Sequence, residues 1–102
     1  MTKYEFTLSS GKVVLVREPR VSHVRGAHKV GEDEMARAEE FLKSLIVSVS
    51  NEKGELIPFE NSPKALDREF TLREFMELSN AVQTHEDFMF DPAEKKTVVE
   101  KL

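Results

Sequence analysis

The chain contains no cysteine and no tryptophan, and only 4 glycines and 4 prolines among its 102 residues. Without cysteine there are no disulfides, thiolate metal centres, iron–sulfur clusters or cysteine nucleophiles, which leaves histidine and carboxylate chemistry. The scarcity of Gly and Pro excludes collagen-like and low-complexity chains, and 39% hydrophobic against 33% charged residues excludes a wholly disordered one. No apolar run approaches the roughly 18–20 residues of a membrane span, and the N-terminus lacks the basic-then-apolar plan of a signal peptide. The expectation is one globular domain in the cytoplasm, with no membrane partner.

Motifs for catalysis are equally sparse. His23 and His28 are five apart, which on a helix turns them about 140° away from each other, and the remaining histidine is His85. No His-x-x-x-His or Glu-x-x-His string occurs, so no metal site is expected. Gly11, Gly26, Gly31 and Gly54 are too dispersed for a phosphate cradle or a dinucleotide fingerprint, and Ser9-Ser10-Gly11 reads as a turn, not a nucleophile elbow. The composition therefore points away from an enzyme, with no cofactor, and toward a binding protein.

Charge is unevenly spread around a net of -4. Residues 12–29 hold five bases, Lys12, Arg17, Arg20, Arg25 and Lys29, against Glu18 alone, a local +4. From residue 30 onward 17 acids meet 9 bases, a local -8. Such polarity can steer head-to-tail association or the docking of a charged partner; it is also what a mixed solvated surface looks like. The basic stretch has no aromatic residue for stacking and sits in an acidic chain, so no nucleic acid partner is expected.

Hydropathy patterning gives the elements. Tyr4-Glu5-Phe6-Thr7-Leu8 alternates at period two, and a Ser9-Ser10-Gly11-Lys12 turn leads into Val13-Val14-Leu15-Val16-Arg17, a β-hairpin stopped by Pro19. The second strand is apolar on both faces, so a neighbouring copy is one candidate cover. A weak helix is predicted over Val21 to Lys29, capped by Ser22 and weakened by Gly26. The main helix is predicted from Glu32 to Val49, with Met35, Ala38, Phe41, Leu42, Leu45, Ile46 and Val49 in an arc of roughly 140°. Asn51-Glu52-Lys53-Gly54 ends it and opens a loop. Ser62-Pro63 starts a short turn, and Thr71 with Glu74 forms a capping box stapled by Phe70 and Phe75. The helix that follows carries Leu72, Phe75, Met76, Leu78, Ser79 and Val82 on one side.

The expected architecture is α+β: an N-terminal hairpin packed against two or three helices over residues 1–83, then a flexible C-terminal tail over 84–102, with a short helix after Asp91-Pro92. Within that tail Phe88-Met89-Phe90 is flanked by acids and needs a cover, either a partner or the tail's own helices.

The stretch Phe6-Thr7-Leu8-Ser9-Ser10-Gly11-Lys12-Val13-Val14, running into Val16-Arg17-Glu18-Pro19-Arg20-Val21, resembles the opening of small tail assembly chaperones of long-tailed and contractile-tailed phages, the Mu-like group included. The likeness covers about residues 4–82: a Gly-Lys-x-Val-x-x-Arg-Glu-Pro opening, an acid-rich helix, a loop, then a shorter helix rich in Phe and Leu. It implies a non-catalytic, homo-oligomeric protein of the host bacterial cytoplasm that coats the tape measure protein, keeps it soluble and helps recruit the tail tube protein. A small structural or adaptor component of the particle, in tail or head completion, is the alternative. The partner-binding residues expected for such work are Met35, Leu42, Phe75, Met76, Phe88, Met89 and Phe90, in a groove between the two longer helices. Methionines there can also serve simply as core filler.

Overall fold

The computed structural model describes residues 3–88, which form a four-stranded antiparallel sheet and four helices around one core. The α+β class holds, with two further strands and one more helix than the sequence patterning predicts. The short helix expected after Asp91-Pro92 lies outside the described residues.

Strands β1 (Lys3–Thr7) and β2 (Val13–Arg17) pair as the predicted hairpin, with Tyr4 opposite Val16 and Phe6 opposite Val14. The turn closes through Leu8 N–H to Lys12 O and Gly11 N–H to Leu8 O, both 2.8 Å, and needs Gly11 at φ 94, a left-handed value that side chains resist. The period-two pattern places Tyr4 and Phe6 against the core and leaves Lys3, Glu5 and Thr7 in solvent.

Helix α1 (Val21–His28) begins one residue after Pro19-Arg20, so its N-cap is Arg20, and Ser22 lies inside the first turn. An arginine side chain has no acceptor and cannot cap a helix. The first turn is instead secured from the other direction, by His23 Nδ1 accepting the Arg20 N–H at 2.9 Å. Partial burial, then the charges of Arg17 and Arg20, hold His23 below the ordinary histidine range. A base held neutral in the fold contributes stability that is complete above its unfolded value near 6.5 and is lost as pH falls toward the folded value. Protonation also removes the acceptor. Thermal unfolding at pH 7.5 and pH 5 should therefore show a smaller acid-induced drop in Tm for His23→Asn than for the parent; equal drops would remove His23 from this role.

Helix α2 (Glu34–Leu45) is capped by Asp33, whose Oδ1 accepts the Met35 N–H at 3.1 Å. The helix does not reach Val49. It ends at Leu45, and strand β3 (Ile46–Ser50) follows with no intervening loop. Ile46, Val47 and Val49 are β-branched and favour extended backbone, and β2 offers them an edge to pair with. Val14 lies opposite Val49, Leu15 opposite Ser48 and Val16 opposite Ile46, so Val47 is the extra residue of a bulge. Asn51-Glu52-Lys53-Gly54, predicted to open a loop, makes a tight hairpin turn: Asn51 Oδ1 accepts the Lys53 and Glu55 N–H groups at 2.9 Å, and Gly54 takes φ 83. Strand β4 (Leu56–Pro58) returns along β3, giving the order β1-β2-β3-β4.

Helix α3 (Pro63–Glu69) starts where predicted, with Ser62 Oγ accepting the Ala65 N–H at 3.2 Å. Helix α4 (Leu72–Thr84) carries the complete capping box: the Glu74 N–H donates to Thr71 Oγ1 at 3.1 Å and the Thr71 N–H to Glu74 Oε1 at 2.9 Å. Phe70 and Phe75 are both buried beside it. The core joins Val14, Val16 and Val49 of the sheet to Leu42 and Leu45 of α2 and to Phe75, Leu78 and Val82 of α4. Among the described residues no helix is long and apolar enough to cross a membrane.

Candidate partner-binding site

On α4 the core is met by Phe75, Leu78 and Val82. At 100° per residue Leu72 and Met76 sit about 90–130° around the helix from that direction, one above the other at i,i+4. They are 67% and 54% exposed, high for side chains of their size. Met35, 41% exposed on α2, stands across a shallow groove whose other walls include Leu66, Phe70, Leu72 and Phe75. Glu39 and Asp67 edge that groove. Met35 and Leu72 on a concavity with acidic edges, continued by Met76 one turn along α4, form a surface suited to the apolar face of an amphipathic helix flanked by cations.

The expected contact residues separate into groups. Met35 and Met76 are accessible, as a binding role requires. Leu42 and Phe75 are not: at 1% and 7% exposure they belong to the core, because the helical arc that marks an apolar residue does not distinguish a groove from the interior. Leu72 is the contact that the patterning missed, since it was assigned to the packed side of α4; its pairing with Met76 at i,i+4 is the available signal. Phe88 turns back onto the chain, its ring centroid 4.5 Å from Tyr4 and 4.7 Å from His85, with Phe6 beside them. This contact extends the packed unit past the expected boundary at residue 83. Met89 and Phe90 lie outside the described residues.

The basic patch is also divided. Arg17, at the end of β2, is half-buried, and Arg20, Arg25 and Lys29 are exposed on and around α1. Lys12 is at the other end of β2 and does not join them. Its ammonium donates to the Glu69 carbonyl, pairs with Glu74 Oε1 at 3.3 Å and sits 5.1 Å from the centre of the Phe70 ring. Glu74 also accepts from Ser10 Oγ at 2.7 Å, while Glu77 accepts the Ser9 N–H at 2.8 Å and the Ser9 hydroxyl at 2.7 Å. The Ser9-Ser10 turn is thus a structural clasp that holds the hairpin to α4. Burial works to raise the Glu74 carboxyl, but the Thr71 N–H, Ser10 and Lys12 outweigh it and hold it below the usual carboxylate range.

The histidines do not converge. His23 braces the start of α1, His28 is exposed at its end, and His85 is packed among Tyr4, Phe6 and Phe88. Among the described residues no group of three histidines or carboxylates could hold a metal ion. No protein-family model, curated protein or solved structure matches the chain.

Proposed function

We propose that this protein is a tail assembly chaperone of a phage or prophage, acting without catalysis in the host bacterial cytoplasm. In this reading it binds apolar helices of the tape measure protein, keeps them soluble and helps recruit the tail tube protein. One observation carries the proposal: Met35 and Leu72 stand exposed on an acid-edged groove, and Met76 is exposed one turn further along α4 from Leu72. A helix with i,i+3/i+4 apolar anchors would bury those side chains, and lysines or arginines on its flanks would meet Glu39 and Asp67. The opening motif through Arg17-Glu18-Pro19 supports the same family.

The test is co-expression with a phage tape measure protein from the same gene cluster as this chain. The parent chain should raise the soluble fraction of that protein. Leu72→Asp combined with Met76→Glu removes two contacts worth about 1.5–3 kcal/mol each when buried, so affinity should fall by at least about 100-fold. Because both side chains already face solvent, the fold should be kept and Tm should move little. Solubilisation that survives this double change would overturn the proposal.

A further inference from the structure

We propose that copies of this chain associate head to tail, the valine face of α1 of one copy seating on the β4 edge of the next. The inference does not depend on what the Leu72–Met76 groove binds. It rests on two exposed apolar surfaces of opposite charge at opposite ends of the sheet.

The first surface is α1. Val21 and Val24, at i,i+3, are 72% and 46% exposed, and Val30 just beyond the helix is 45% exposed. From Pro19 to Gly31 there is no acid, while Arg20, Arg25 and Lys29 surround the valines. β-branched residues are poor helix formers, and the two facing water on this helix of eight residues, with Val30 just past its end, gain nothing from exposure.

The second surface is β4, an edge strand. Leu56 and Ile57 are 43% and 47% exposed, and the turn leading into them carries Glu52 and Glu55 against Lys53, while Glu60 beyond them is paired with Arg68. The strand is three residues long and ends in Pro58, which has no N–H to donate, so another strand adds poorly to it. A helix laid across the edge covers the same apolar area without needing those donors.

One copy cannot satisfy itself. α1 follows Arg17 at one end of β2, whereas the turn bearing Glu52 and Glu55 adjoins Val13 at the other, where the Val13 N–H reaches Ser50 Oγ. Five residues of strand, about 14 Å, separate these ends. Among the described residues none of Arg20, Arg25, Lys29, Glu52 or Glu55 takes part in an ion pair. A contact between two different faces repeats from copy to copy, producing a ring or an open filament instead of a closed two-fold dimer.

Charge reversal tests the pairing. Sedimentation velocity of the parent protein, from tens to hundreds of micromolar, should show a mass that grows with concentration at about 50 mM salt and shrinks at about 500 mM, where the Debye length is much shorter. Arg20→Glu with Arg25→Glu should be monomeric, as should Glu52→Lys with Glu55→Lys. An equimolar mixture of the two reversed proteins should associate again, because each then meets an opposite charge. That recovery also shows that both remain folded. A parent monomeric throughout, a reversed protein that associates as the parent does, or a mixture that stays monomeric would each overturn the proposal. None of the four positions borders the Leu72–Met76 groove, so client binding can be scored separately on the same proteins.

Discussion

Leu42→Ala is expected to cost about 3 kcal/mol of folding stability and to lower Tm by about 12–24 °C. Leu42 is 1% exposed and lies in the cluster that joins α2 to the sheet and to α4, so truncation loses its transfer free energy and leaves a cavity as well. Domains of this kind have only about 5–15 kcal/mol in total, so the change consumes a large share. Leu72→Ala removes the same atoms from a side chain 67% exposed and should shift stability by less than about 0.5 kcal/mol. Paired unfolding curves in urea check both. If Leu72→Ala proved the costlier, the assignment of Leu42 to the interior and Leu72 to the surface would be reversed.

The second large effect is at Glu74. This one carboxylate completes the α4 capping box, holds Ser10 and pairs with Lys12, so it ties the first hairpin to the helix across 64 residues of sequence. A capping contribution of about 1 kcal/mol plus charge-assisted hydrogen bonds makes the expected cost of Glu74→Ala about 2–3 kcal/mol. Glu74→Gln keeps one acceptor, for the Thr71 N–H, and turns its amide N–H toward the Ser10 hydroxyl oxygen while losing the attraction to Lys12, so it should cost roughly half as much. A carboxyl group held low in the fold stabilises it above the ordinary value of 4.5, and that stability disappears as pH falls through the lower folded value. Acid unfolding of Glu74→Gln should consequently begin from a lower plateau and show a shallower pH slope. An unchanged slope would separate Glu74 from the acid transition.

Where a signal is local and chemical, the sequence alone locates the element. Ser62-Pro63 and Thr71-x-x-Glu74 mark helix starts because the capping atoms sit within three residues of the groups they satisfy. The first hairpin is readable because alternation and a Gly-bearing turn agree. The junction at Leu45 is not, since Ile46 and Val49 suit a helical arc as well as a strand, and only β2, thirty residues earlier, decides between them. β4 is hidden for a related reason: three residues ending in proline carry too little pattern, and their pairing comes from β3. At the candidate site, residue type identified Met35 and Met76, but depth is a tertiary quantity. Leu42 and Leu72 look alike in sequence and differ from 1% to 67% in exposure.

The direct passage from α2 into β3 has a consequence for how the chain tolerates added length. A single residue inserted between Leu45 and Ile46 would either turn the helix by 100° against the sheet or flip every β3 side chain to the opposite face, and no slack is present to absorb it. Five positions after Ile46 the Asn51–Gly54 bend is exposed, and a connection between two strands tolerates added length better than that seam does. Natural variation in chain length should therefore avoid the helix–strand seam, and so should epitope tags or labels.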